Sequence, residues 1–172
     1  MKRLVGCLLL VLLLASAALA GLDVHFLDVG QGDSILIVTA QEKTLLIDGG
    51  TEDAGRRVVV PYLQDLGVEK IDVLVATHPH VDHIGGLIPV LASFPVGRVI
   101  ADGQIHTTRT YERFLTAILE QDIPFHTPKR GEYIALPGTD EILVLHPGED
   151  LLPGLNNNSV VLRLVYKDVA FL

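Results

Sequence analysis

The chain has 172 residues, 49% of them hydrophobic, with 13 Lys and Arg against 21 Asp and Glu and a formal net charge of −8. That is enough apolar material for one domain with a real core, and too acidic for a broad, sequence-independent grip on duplex nucleic acid, which needs clustered Lys and Arg. It leaves room for a phosphodiester held mainly by metal ions, while the single cysteine, Cys7, excludes a disulfide framework.

The first element is a leader. Lys2 and Arg3 precede an uncharged run from Leu4 to Ala20 that ends in Ala18-Leu-Ala20, a small-x-small cleavage pattern. Met1–Ala20 therefore reads as a cleaved export signal, which predicts a secreted or extracytoplasmic protein. Left uncut, the same segment would be a membrane anchor at the lower length limit for a span, and the membrane enters in no other way. Cleavage removes Cys7 together with Lys2 and Arg3, two of the 13 basic residues, and moves the charge from −8 to −10. Residues 21–172 carry no repeat or low-complexity linker and read as one domain.

Leu22–Leu27 alternates and predicts a first strand, followed by a tight Gly30-Gln-Gly32 turn, a second strand over Ser34–Val38 and a third over Thr44–Ile47. Asp33 fits a turn residue bonding its own backbone. Asp48 ends a buried strand and precedes two glycines, which suits a helix or turn cap. Asp53–Leu66 predicts a helix with an apolar stripe through Val59, Tyr62, Leu63 and Leu66, kinked or begun by Pro61.

Ile71-Asp-Val-Leu-Val-Ala76 predicts a strand buried on both faces. At its end stand His78, His80, Asp82 and His83, four metal-capable side chains within six residues. Pro79 has no N–H and biases His78 toward extended backbone, so the cluster is not expected on a helix. In extended chain, residues two apart face the same way, so His78 and His80 can converge on one ion. Asp82 and His83, in the turn that follows, would aim at a second. Imidazole with carboxylate suits Zn2+, with Mn2+ or Fe as alternatives. Solvated loop histidines are the competing reading.

Beyond the cluster, Gly85–Ser93 predicts a buried helix, Val96–Ala101 a strand, and Thr107–Glu120 a helix capped by Thr107 or Thr108. Arg109 and Arg113 share a face of it, solvated or turned to an anionic substrate. His106 and His126 stand in loops without an assigned role. From Gly131 the pattern becomes short strands, Glu132–Leu136, Glu141–His146, Ser159–Tyr166 and Val169–Leu172, separated by Pro-Gly pairs.

The motif His78-Pro-His80-Val-Asp82-His83 resembles the H-x-H-x-D-H metal motif of the metallo-β-lactamase superfamily. Leu27-Asp-Val-Gly-Gln-Gly-Asp-Ser34, Leu46-Ile-Asp-Gly-Gly50 and Asn156-Asn-Asn-Ser-Val-Val-Leu162 further resemble the hydrolase domain of ComEC-type competence proteins, including free-standing secreted relatives. The resemblance implies an α/β four-layer αββα sandwich, present as its N-terminal half plus the opening strands of the second sheet. It implies His78 and His80 on one metal, Asp82 and His83 on another, and Asp82 orienting the nucleophile or shuttling its proton. It makes Asp48 a support for the metal loop, and brings Gln31, Asp33 and the Asn157 turn to the substrate face. His146 would be a candidate third histidine, although the ComEC-type branch departs from that pattern; a plain loop histidine is the alternative.

In the resembled family a strand like Val169–Leu172 runs into a Gly-Asp turn whose Asp bridges two metals, with another histidine later. The chain is accordingly expected to be a C-terminally incomplete piece of a longer protein. The functional expectation is a metal-dependent hydrolase using a metal-activated hydroxide, phosphodiesterase- or nuclease-like, acting on extracellular DNA or another phosphodiester. The alternatives are a lactamase-, thioesterase- or lactonase-type hydrolase of small molecules on the same fold, or a non-catalytic metal-binding fragment.

Overall fold

The computed structural model describes residues 21–172; the export-signal reading of Met1–Ala20 lies outside them. Strands β1 (Asp23–Phe26), β2 (Ile35–Val38) and β3 (Thr44–Ile47) run antiparallel, as their short connections require. Strands β4 (Val73–Ala76), β5 (Val99–Ala101) and β6 (Phe125–His126) then add in parallel, giving six strands in sequence order.

Parallel addition needs crossovers, and helices supply them. Between β3 and β4 lie α1 (Glu52–Ala54), a π-helical turn (Gly55–Val59) and α2 (Val60–Asp65); between β4 and β5 lie α3 (Val81–Ile84) and α4 (Leu87–Ser93); α5 (Arg109–Glu120) leads to β6. A second antiparallel sheet contains β7 (Glu141–His146), β8 (Val161–Tyr166) and β9 (Val169–Phe171).

The two-residue period of the strands divides the core. Leu36, Leu46, Leu74 and Ala76 face the helices and pack with Val59, Leu63, Leu87 and Phe114. Ile37, Leu45, Val73, Val75 and Ile100 face the second sheet and meet Ile142, Val144 and Leu164. The layers run helix, sheet, sheet. Each buried Leu, Ile or Phe contributes about 1.5–3 kcal/mol relative to exposure, so β3 and β4, covered on both sides, form the most firmly held part of the scaffold. Their C-terminal ends are where the site is built.

Several boundaries differ from expectation. The helix predicted over 53–66 is one helical run containing a π-turn, and Pro61 follows directly after that turn, at the start of α2. The helix predicted over 85–93 begins at Leu87, because Gly85 and Gly86 form the junction between α3 and α4. Ile71 makes only a lone bridge to Val96 and stands outside β4. The strand predicted over 132–136 does not form: Tyr133 makes a lone bridge to Leu143 and Ile134 N–H bonds Ile142 O, a strap along β7 that Pro137-Gly138 ends. β6 was not expected, since two residues are too few for a period to register.

Candidate metal centre

Everything at the site hangs from the ends of β3 and β4. Asp48 follows β3 in the left-handed region (φ 55°), which Asp tolerates better than most residues, and is 1% exposed. Its Oδ1 accepts the Thr77 N–H at 2.8 Å, and its Oδ2 accepts both the Thr77 hydroxyl at 2.6 Å and His83 Nδ1 at 2.8 Å. Thr77 Oγ1 also lies 3.0 Å from His78 Nδ1.

These bonds fix two tautomers. A carboxylate only accepts, so the single Thr77 hydroxyl hydrogen goes to Asp48 and His78 Nδ1–H must donate to Thr77 Oγ1. His83 Nδ1–H likewise donates to Asp48. In both rings the unprotonated nitrogen is then Nε2, the atom able to ligate a metal, and the relay behind them is the kind that fixes a ligating imidazole.

His80 caps α3 in extended conformation, while Asp82 and His83 lie within that helix. The expectation of a non-helical cluster therefore holds for His78 and His80 and fails for Asp82 and His83: Pro79 bars helix before His80 and has no influence after it. The three rings converge, with centroids 4.8 Å apart for His78 and His80 and 4.1 Å for His78 and His83. His78 and His83 are the closer pair.

Burial pushes the His78 pKa down, helped by the His83 charge, so the ring stays neutral and keeps its lone pair. Burial also disfavours charge on His83, but the Asp48 hydrogen bond and the fields of Asp48, Asp82 and Asp33 outweigh it and raise the pKa. For Asp82, burial raises the pKa, yet the Gln31 hydrogen bond and the nearby imidazoles bring it below the usual carboxylate value.

Gln31 donates to Asp82 Oδ2 at 3.1 Å, which aims that carboxylate. The loop carrying Gln31 reaches α3 because of Gly32, at φ +86°, where a Cβ would come within 1.7 Å of Asp82 O. Asp33 is exposed, with Oδ2 3.9 Å from His83 Nδ1. Asp33, Asp48 and His83 place oxygen and nitrogen atoms within 4.8 Å of one another. Asp48 already accepts three bonds from Thr77 and His83, so this set is better suited to orienting His83 than to holding a cation.

The Asn156–Ser159 turn is tethered to the metal loop by Val160 N–H to Thr77 O at 2.9 Å. Asn157, the residue expected at the substrate face, instead faces its own turn: its side chain donates to Pro153 O, and its carbonyl lies 2.9 Å from His146 Nε2. His146 is thus engaged at that turn. The buried residue is Asn158, 0% exposed, which bonds Leu152, Gly154 and Gln104. Gln104 in turn donates to Asp102 and to Leu155 O. Asp102, also buried, has its pKa pushed up by that burial against the Gln104 bonds. It lines a cleft of about 10 Å³ with His78, Pro79 and Gln104, space for roughly one water. Unlike the buried His78, the residues His80, Asp82 and His83 are only partly buried.

Thr77, Asp102, Gln104 and Asn158 escaped the sequence reading. One signal was available: Ala101-Asp102-Gly103 repeats the grammar of Ile47-Asp48-Gly49, an acid at the end of a buried strand followed by glycine.

Residues 27–172 match the metallo-beta-lactamase superfamily. The chain belongs to that superfamily. Among curated proteins this metallo-beta-lactamase domain is 28% identical over 156 residues to ComE operon protein 3 of Bacillus subtilis, covering 81% of this chain and 20% of the relative. It is 42% identical over 74 residues to competence protein ComA of Neisseria gonorrhoeae, covering 43% of this chain and 10% of ComA. The likeness to a ComEC-type competence domain is thus shared with relatives of which this chain spans a fifth or less. Among solved structures, a Cronobacter sakazakii metallo-beta-lactamase matches with a TM-score of 0.58 at 19% identity, over 84% of this chain and 56% of that one. A superfamily protein from Sulfolobus tokodaii matches with a TM-score of 0.55 at 17% identity, over 87% and 61%. Among the described residues no helix is long and apolar enough to cross a membrane.

Proposed function

We propose that this superfamily hydrolase domain cleaves phosphodiesters at two divalent ions, most suitably Zn2+, held by His78, His80, Asp82 and His83. The observation that carries the reading is the relay from His78 through Thr77 to Asp48, and from His83 to Asp48, which engages Nδ1 of both rings and leaves Nε2 as the atom available to a metal. The donor set fits the ions: three imidazoles and a carboxylate whose pKa is held low, at the C-terminal ends of buried strands. When bound, such ions polarise the scissile group and acidify water toward neutrality.

The chain's own residues do the rest. His80 is half-buried at the start of α3. Asp82, held by Gln31, is aimed to orient a water or take its proton. Asp48 keeps two imidazoles from turning. The phosphodiester substrate is supported by the ComEC-type relatives, which are named for competence. The acidic composition fits a substrate held by cations rather than by a basic surface. The export signal proposed for Met1–Ala20 would place the activity outside the cytoplasm, where DNA is one available phosphodiester.

The test is a panel assay of the zinc-loaded chain on bis(p-nitrophenyl) phosphate, single-stranded DNA, a β-lactam and a thioester, with and without chelator. Chelator-sensitive diester cleavage, lost in Asp82→Asn, is expected. Turnover of the lactam or thioester alone, or cleavage indifferent to chelator, would overturn the reading.

A further inference from the structure

The loop between β5 and α5 places one imidazole that the metal donors do not use. His106 has its ring centroid 6.4 Å from that of His80, at 84° to it, and 6.4 Å from that of Tyr111, at 89°. Its Nδ1 lies 3.0 Å from Thr108 Oγ1, and Thr108 is the N-cap of α5, accepting the Tyr111 N–H.

The loop is pinned from beneath. Gln104 is held by Asp102, Leu155 and Asn158, and its carbonyl accepts the Tyr111 hydroxyl at 2.9 Å. Yet the next residue, Ile105, is 88% exposed. A pinned loop thus holds a half-buried imidazole beside His80, at the edge of the donor cluster, where a ligand can lie against it.

We propose that His106 is a substrate-binding residue, whose Nε2 hydrogen-bonds a non-bridging oxygen of a phosphate group lying against His80. The proposal rests on the phosphodiesterase reading above. In the tautomer in which the Thr108 hydroxyl donates to Nδ1, Nε2 carries the hydrogen that the phosphate oxygen would accept. Its ring stands farther from His80 than the 4.8 Å and 4.1 Å separations inside the cluster, which sets it beside the donors rather than among them. A nearby basic group is committed elsewhere: Arg113 spends both terminal nitrogens on Glu52. Arg109 is exposed at the start of α5, and His106 is the donor whose ring stands beside His80.

The test is calorimetric titration of the zinc-loaded full chain with inorganic phosphate, using wild type, His106→Ala, His106→Gln and His106→Asn. A side-chain hydrogen bond to a charged oxygen makes the expected loss in His106→Ala roughly tenfold in affinity. Gln, whose amide can occupy the place of Nε2, is expected to restore most of it, and Asn, which mimics Nδ1, is not. Zinc content and melting temperature should match wild type in all three. Equal phosphate affinity in His106→Ala, no phosphate binding by wild type, or zinc lost with the imidazole would each overturn the proposal. Phosphate binding that depends on His106 in a protein that hydrolyses no diester would uphold this site while removing the phosphodiesterase reading.

Discussion

Asp48 and His83 are joined, carboxylate to Nδ1, at 2.8 Å, and the same carboxylate takes the Thr77 hydroxyl and N–H. One buried acid thus sets the facing of an imidazole on α3 and, through Thr77, of another at the end of β4. Asp48→Ala leaves buried donors unpaired and frees both rings to rotate. Such a change costs about 1–3 kcal/mol for each group left unpaired and about 10- to 100-fold in metal affinity. Chemical denaturation and competition with a zinc chelator measure the two separately. Wild-type zinc affinity in the variant would show that the relay does not orient the rings.

Gly32 lets the Gln31 loop touch α3. A Cβ there would stand 1.7 Å from Asp82 O, and its φ of +86° suits glycine. Gly32→Ala should therefore push the loop off the helix, breaking the Gln31–Asp82 bond. Forced overpacking costs about 1–3 kcal/mol. Gln31→Ala removes the same bond without the clash, so Gly32→Ala should lose more stability than Gln31→Ala while both raise the Asp82 pKa. Carboxyl NMR titration of the metal-free protein checks it.

Much of this was legible in the sequence because it is local. The buried runs of β3 and β4, the proline that ends one of them and the crowded histidines all lie within a few residues of each other. What was hidden is pairing across distance. Asn157 was the residue expected at the substrate face, yet Asn158 is the one that enters the interior and meets Gln104, 54 residues away. Three consecutive asparagines carry no period to tell them apart; the choice is made by the 3-10 turn over Leu155–Asn158 and the register of β8. Gly85 and Gly86 hid the split between α3 and α4 for a related reason: a Cβ on Gly86 would meet Gly49 O at 1.8 Å, a contact invisible along the chain.

Asn158→Ala should accordingly be far more damaging than Asn157→Ala. Removing the buried amide strands the Leu152 backbone and Gln104, at about 1–3 kcal/mol for each unsatisfied group, whereas Asn157 is exposed and its loss should stay within about 0.5 kcal/mol. Urea unfolding of the two variants side by side decides it; equal losses would mean the 152–159 turn is held by its backbone alone.

Glu52 bridges helices, donating nothing and accepting from Arg113 at 2.6 and 2.9 Å and from Arg56 at 2.7 Å. The Arg113 hydrogen bonds, with those of Arg56, lower its pKa from 4.5 to about 2. A carboxylate whose folded pKa is depressed stabilises the fold above its unfolded value and loses that contribution as pH falls through the folded one. The loss should run between about 4.5 and about 2. Both arginines are more than a third exposed, so solvent screening holds the effect to roughly 1 kcal/mol or less. Glu52→Gln should be less stable than wild type at pH 7 and equal to it near pH 2, in unfolding measured at fixed low salt. A gap that persists at pH 2 would assign the effect to packing.

Metal removal should be felt as stability because the three histidine rings already lie side by side in the folded chain. With the His78 ring centred 4.8 Å from that of His80 and 4.1 Å from that of His83, a cation that binds only the folded chain stabilises it by mass action, about 2.7 kcal/mol at a free concentration of 100 times Kd. For a domain of this size that is a rise of roughly 5–10 °C in Tm. Zinc should raise the wild-type Tm by that amount and a chelator should abolish the rise. His78→Ala/His80→Ala removes two donors at the end of β4, and its Tm should be indifferent to both additions. A zinc response surviving in that double variant would place the ion elsewhere, with Asp33, Asp48 and His83 the next donor set to remove.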